Sequence, residues 1–434
     1  MQNTRKTGWY RWYIVGVLAI AGALAQIDRQ IMGLLTEPVK ADLQLSDIQI
    51  SLLQGLAFVL FHAVMAFPLG YLSDKWPRRF VMATGILLWS MATMACGLAR
   101  SFVQLFAARL GVGVGEASLI PSVQSLLPDH FKPDELSKAF AVFQFGLLIG
   151  GGGAYIVGGL MLSLIDAWNI QGLPLLGELR PWQITFILAA LPGPVIALLM
   201  LTMREAPRLP AATNDTRHAP DGFRRFLAMR RWFLISHLGS IAAKSIIVFG
   251  IVAWVPSFLV RTFEWTVAEA GLAYGAILLV FGGSGTLISA QVAQIWTKRS
   301  DRSAVVKVNL LAFLVTLPVA VAFPLVSSAQ VALALLAIFS FCVGVTSTMM
   351  PTILQLATPD EYRGRIAAFY VFATTAIGAA LGPMAIATVT DFVLGDTQRL
   401  REAIAIVSCI FGVIVIALGL STYREFRKLT AQGG

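Results

Sequence analysis

Charge is scarce in this sequence. Only 13% of its 434 residues are Asp, Glu, Lys or Arg, while 57% are hydrophobic, and the mean hydropathy is +0.75. So few charges cannot coat a water-soluble globule of this length, which leaves a polytopic membrane protein. Cysteine is scarcer still. Cys96, Cys342 and Cys409 all lie in apolar runs, so free thiols rather than a disulfide framework are expected. Four scattered histidines and three such cysteines make no metal cluster and no nucleophile with a base. No glycine run is followed by Gly-Lys-Ser/Thr, the loop that cradles a nucleotide phosphate. Neither an enzyme nor a cofactor is expected. The first apolar run lacks a small-residue cleavage site and flows straight into Asp28-Arg29, so it reads as a retained helix rather than a signal peptide.

The apolar runs number twelve. They span about 11–36, 48–74, 79–99, 102–127, 136–164 and 182–203, and then, past a polar linker at 204–230, about 231–260, 267–296, 304–323, 329–356, 363–390 and 401–422. Each is long enough for the roughly 20 residues that cross a bilayer as a helix. The net charge of +10 would fit a nucleic-acid binder, but the basic residues fall on alternate loops. One side collects 24 of the 33 Lys and Arg, seven of them in the linker; the other side has six. Positive loops face the cytoplasm. That places both termini there, in what is expected to be a bacterial inner membrane.

The chain also repeats. Phe131-Lys132-Pro133-Asp134-Glu135 precedes the fifth span, and Thr358-Pro359-Asp360-Glu361 precedes the eleventh. Six helices, a basic linker and six more with matched punctuation form the two-halves plan of a facilitator-type transporter. The expected fold is all-α, with an N-terminal half at 1–203, a cytoplasmic linker at 204–230 and a C-terminal half at 231–434, acting as a monomer. A binding site between the halves near the midplane follows from that plan.

Only Arg29, Arg109 and Lys244 among the basic residues lie within spans. A charge at a helix centre costs roughly 2.5–3.5 kcal/mol on insertion scales, so such residues are site candidates by default. Arg109 and Glu116 share one face of the fourth span, separated by about 10 Å along the axis. Gly111, Gly113 and Gly115 thin the helix between them so that another backbone can approach. Asp28 and Arg29 project about 100° apart and cannot simply neutralise each other. Asp28 and Glu116 brought together, with Arg29 or Arg109 as counter-charge, would make a proton-binding pair, because a carboxylate in a poorly hydrated site holds its proton more firmly. Lys244 needs an anion or a water-filled cavity. His62 and His237 are candidates of the weaker kind, since a lone histidine on an apolar helix is more often packed and hydrogen-bonded. The glycines at 146, 150–153, 158 and 159, and at 378 and 382, read as close helix packing. Phe249, Trp254, Phe258, Phe369, Tyr370 and Phe372 would suit an acyl chain better than a sugar.

Gly70-Tyr71-Leu72-Ser73-Asp74-Lys75-Trp76-Pro77-Arg78-Arg79 resembles the signature loop of the major facilitator superfamily, with Pro77 where the family usually has glycine. Its physical use is a cytoplasmic charge clamp: Gly70, Asp74, Arg78 and Arg79 would form the gate, Asp74 pairing across the half interface. Asp28-Arg29, Asp42-Leu43-Gln44-Leu45-Ser46-Asp47, Trp89-Ser90, Arg109 to Ser118 with Pro121, and Arg204-Glu205-Ala206-Pro207-Arg208 together resemble the Spinster-like branch of that superfamily. The likeness is specific from 28 to 146 and thin in the second half. Lys244 departs from it, as does His62, which stands where an aromatic residue is expected. The resemblance implies transport of lysophospholipid or sphingosine-phosphate-like amphiphiles, with protons and membrane lipids as partners and with Asp28 and Glu116 in proton coupling. Arg29, Arg109, Lys244 and His62 are the substrate-binding candidates. Symporters of sugar acids share the same acid-and-arginine plan and give the alternative substrate class; a transporter-shaped receptor is the alternative of a different kind.

Overall fold

The computed structural model describes residues 8–170, 172–173, 177–205, 220–298 and 303–432. Among them are twelve helices long and apolar enough to cross a membrane. They are α1 (Trp9–Leu34), α2 (Asp47–Ser73), α3 (Arg78–Leu98), α4 (Phe102–His130), α5 (Lys138–Ala167), α6 (Pro181–Thr202), α7 (Arg231–Phe263), α8 (Val267–Ser289), α9 (Ala304–Ala322), α10 (Ala329–Leu356), α11 (Arg363–Leu394) and α12 (Thr397–Leu429). Helices are forced here because each satisfies its own backbone where no water can.

The chain forms two compact units. The first comprises Met1–Ala212 with Thr266–Gly275, and the second Thr213–Trp265 with Ala276–Gly434. The outer turns of α8 therefore pack with the first six helices, which the sequence reading, dividing the chain at its linker, did not anticipate. Of that linker, residues 206–219 lie outside the described residues, and Pro220–Met229 is a helix.

Glycine decides the crossings in the first unit. A Cβ on Gly146 or Gly150 of α5 would collide with the carbonyls of Ala19 or Ala23 on α1. Further along α5, a Cβ on Gly159 would stand 2.8 Å from the carbonyl oxygen of Ala268, and one on Gly275 would stand 2.6 Å from that of Gly152. Gly146, Gly150, Gly158 and Gly159 of α5 are packing residues, as the pattern suggested, and they serve two neighbours, whereas Gly151 and Gly153 face open space. In α4, Gly113 presses on the Phe58 carbonyl of α2, while a Cβ on Gly115 would lie 2.6 Å from the Trp89 nitrogen of α3. The helix breaks at Ala117–Ser118 into Phe102–Glu116 and Leu119–His130. Pro121, which has no N–H to donate to the turn before it, follows the break. Glu116 thus ends a helical segment and is held between two close neighbours.

Two features outside the spans were not foreseen. A short helix, Thr36–Leu43, ends on Gln44 in the left-handed region (φ 52°), and Ser46 then caps α2 in a box with Gln49. Between α5 and α6, Gly172–Leu173 and Gly177–Glu178 pair antiparallel, Gly172 opposite Glu178.

In the second unit, α7 and α11 cross as closely as α1 and α5 do. A Cβ on Gly382 would stand 2.7 Å from the Gly250 nitrogen and the Ile246 carbonyl. The helix Pro220–Met229 lays Phe223 and Phe226 on Tyr362, at 5.3 and 5.2 Å between ring centroids. Trp254 and Phe258, expected to line an acyl-chain wall, are fully buried. Trp254 donates to the Pro383 carbonyl at 3.0 Å and Phe258 meets Phe323 edge-on, so both are core. Phe369 and Phe372 are exposed. His237 is packed, its Nε2 2.9 Å from the Met350 carbonyl oxygen.

Candidate functional site

Charged residues that ought to be rare inside a span meet where α1, α2, α3 and α4 converge in the first unit. Arg109 is almost wholly buried and spends its donors on main chain. Its Nη1 donates to the Asp28 carbonyl at 2.9 Å, its Nε to that of Leu53 at 3.3 Å and its Nη2 to that of Arg29 at 3.4 Å. Leu53 lies in a widened π-helical turn, Leu52–Leu56, where regular i→i−4 pairing gives way and a carbonyl can accept from elsewhere. Arg109 is thus the clip that joins α4 to α1 and α2.

Arg29 is the counter-charge that Glu116 receives. Its Nη2 donates to Glu116 Oε2 at 3.1 Å; the arginine side chain keeps 29% of its exposure and the glutamate 2%. The Arg29 guanidinium also sits 4.3 Å from the centroid of the Phe58 ring, a cation–π distance. Phe58 in turn stacks on His62, ring centroids 5.0 Å apart, and His62 Nδ1 is buried without a hydrogen-bond partner.

Asp28 is wholly buried, and the donors that face its carboxylate are Trp89 and Thr93 of α3, neither in close, well-aligned hydrogen-bond geometry. Glu116 and Arg109 are the charges that act on it. Among the described residues Glu116 Oε1 has no close hydrogen bond either. Three of the four oxygens of this acid pair are therefore buried without a close hydrogen bond, a costly arrangement for ionised groups. Gln54 adds a polar edge, donating to the Thr36 hydroxyl at 2.7 Å.

Of the residues singled out in the sequence, Asp28, Arg29, His62, Arg109 and Glu116 come together in one unit. Lys244 belongs to the second unit, where its Nζ donates to Ser347 Oγ at 2.9 Å. No carboxylate among the described residues pairs with it. Thr316 and Thr346 share its narrow, otherwise apolar cleft with Val343 and Leu317.

In the loop after α2, the two arginines of the expected clamp bind within their own half. The side chain of Asp74 lies outside the described residues. Arg78 is buried and pairs with Asp129 at the end of α4, at 2.5 Å. The Glu205 carboxylate accepts from the backbone N–H of Arg78, capping the start of α3, and Arg79 donates to the Met203 carbonyl at 3.3 Å. Gly70 faces Pro121 of α4. Arg78 and Arg79 thus tie α3 to neighbours within their own half. Asp129 and Glu205 were missed in the sequence, where nothing marked them as partners of Arg78. Asp42 and Asp47 are structural: Asp47 pairs with Lys40 at 2.5 Å, and Asp42 accepts from Trp182 Nε1 at 3.0 Å and pairs with Arg180 at 3.2 Å.

Comparison with known proteins agrees with this architecture. The Major Facilitator Superfamily model matches residues 18–383. An MFS-type efflux pump of Mycolicibacterium smegmatis is 28% identical over 422 residues, 95% of this chain and 94% of that protein. Protein spinster of Drosophila melanogaster is 34% identical over 183 residues, 42% of this chain and 30% of that protein. The crystal structure of a bacterial homologue of the human lysosomal transporter Spinster, inward-facing and unoccupied, superposes with a TM-score of 0.85 at 23% identity, covering 98% of this chain and 99% of that one. The chain belongs to the Major Facilitator Superfamily of membrane transporters.

Proposed function

We propose that this protein is a proton-coupled secondary transporter that moves an amphipathic anion, such as a lysophospholipid or a sphingosine-phosphate-like lipid, by alternating access. The observation that carries the reading is the acid pair Asp28 and Glu116, buried in a membrane-spanning unit with three of four oxygens lacking a close hydrogen bond among the described residues. A proton on either acid would supply a missing partner. Arg29 links that chemistry to substrate. Its guanidinium is the more exposed member of the pair with Glu116 and already lies on an aromatic face. An anionic headgroup that binds Arg29 competes with Glu116 for it. Released from Arg29, Glu116 is left as a buried carboxylate without a cation, and protonation relieves that cost. Anion and proton then enter the site together.

Lys244 is the anion contact of the second unit in this reading, since among the described residues it donates to a serine hydroxyl and pairs with no carboxylate. His62 supports it by fixing Phe58 beneath Arg29. The apolar exposure of Phe372 favours an acyl tail over a sugar. The basic loops favour an inner-membrane orientation with both termini in the cytoplasm.

The test is uptake into proteoliposomes under an imposed pH gradient, with a phosphorylated lysolipid and a sugar acid as substrates. Accumulation of the lysolipid that collapses when the gradient is dissipated supports the proposal. Accumulation of the sugar acid alone would move the substrate class to small organic anions, and movement of neither would remove the transport reading of this site.

A further inference from the structure

An apolar groove runs along the start of α7 in the second unit, and nothing in the transport reading uses it. Leu234, Ile235 and Leu238 of α7 form one side, Ile366 and Phe369 of α11 the other, and Leu227 of the helix Pro220–Met229 closes one end. Its volume is about 390 Å³. The spacing 231, 234/235, 238 keeps one face of α7 in the groove for about 10 Å of helix. Ile235 and Phe369 remain 58% and 45% exposed, so these residues are not covered by the protein itself. The single polar lining residue is Arg231, at the mouth. Its guanidinium lies 5.2 Å from the centroid of the Trp232 ring, and Trp232 is itself exposed. Among the described residues no carboxylate pairs with Arg231. From Gly222 to Ile235 the sequence has four arginines and no acid.

An exposed tryptophan and an arginine at the end of a membrane span sit at headgroup depth. Below them, the groove offers only hydrocarbon. Charge and shape therefore call for one kind of occupant: a negative headgroup on Arg231 with an acyl chain along Leu234, Leu238 and Phe369. We propose that this groove binds a diacyl anionic phospholipid of the bilayer leaflet on the side of the Pro220–Met229 helix, its phosphate on Arg231 and one acyl chain between α7 and α11. The site is separate from the charged cluster at Asp28 and does not depend on what that cluster transports.

The experiment is native mass spectrometry of the full-length protein, delipidated and exchanged against equal phosphatidylglycerol and phosphatidylcholine of matched chains. One phosphatidylglycerol should be retained in preference. Arg231→Gln should lower that preference about fivefold, the contribution of one arginine near an anionic surface. Ile235→Trp, at an exposed position that tolerates bulk, should lower retention of both lipids by filling the groove. Arg225→Gln, an exposed arginine outside the groove, should change neither. An equal loss in R231Q and R225Q would mean a diffuse basic surface and overturn the site. Unchanged retention in I235W would overturn the groove. Displacement of the diacyl lipid by an equimolar lysolipid would overturn the assignment of the occupant and make the groove a path for a transported lipid.

Discussion

Arg29 and Arg109 reach the same small volume from different helices, and their partners divide their tasks. Arg109 bonds three backbone carbonyls, so replacing it removes the hydrogen bonds that tie α4 to two other helices. Arg109→Gln should cost roughly 1.5–3 kcal/mol of stability, the range for a hydrogen bond to a charged group. The readout is a lower melting temperature in detergent. Arg29→Gln should lower that temperature less and abolish uptake of an anionic substrate, because Arg29 is partly exposed, bonds one carboxylate rather than three carbonyls, and leaves a Glu116 that a proton can neutralise. Equal melting shifts in the two variants would erase the distinction. Asp28→Asn keeps the shape of the side chain and removes its titrating group. It should eliminate gradient-driven accumulation while substrate exchange, which needs no net proton movement, survives; loss of both in a well-folded variant would make Asp28 structural. The sequence placed Arg109 and Arg29 as alternatives for the counter-charge. It could not choose between them, because the choice depends on a widened turn in α2 that turns the Leu53 carbonyl toward Arg109, and the run around Leu53 is simply apolar.

Among the elements, the glycines of α4 and α5 are not equivalent. Gly115 faces the Trp89 nitrogen and the Gly85 carbonyl at distances no Cβ can share, whereas Gly153 has open space around it. Gly115→Ala should therefore destabilise by about 1–3 kcal/mol through overpacking. Gly153→Ala should be neutral or slightly stabilising, since it only narrows the unfolded ensemble. Thermal unfolding of the two purified variants decides the matter, and a loss at Gly153 as large as at Gly115 would contradict the packing account. The helices themselves were legible because twenty-residue apolar runs have no other structure available in a membrane. What escaped was everything set by local geometry: the break after Glu116, the short helix Thr36–Leu43, and the partners of Arg78. The last of these lie far along the chain, at Asp129 near the end of α4 and Glu205 just after α6, and nothing in their distance from Arg78 marks them as its partners.

For the whole molecule, the chain divides into two units, with close α1–α5 crossings in the first and α7–α11 crossings in the second, both built on small residues. The exception is the outer part of α8, which packs with α5 through Gly275 and Gly159. No periodicity could have revealed that exchange, because it depends on which conformation the folded chain holds. The loop charges predict that a cysteine introduced in the 206–219 segment is shielded from an impermeant thiol reagent in intact cells. Labelling from outside would reverse the orientation.

The central claim is that the buried acids couple substrate movement to protons. Substrate-driven proton flux, followed with a pH dye inside proteoliposomes at zero initial pH gradient, tests it most directly. Addition of a phosphorylated lysolipid should acidify the lumen in the native protein, because each anion that displaces Glu116 from Arg29 enters with a proton. In Glu116→Gln the lysolipid should still bind and the pH signal should vanish. A pH change of native size in that variant would contradict the account.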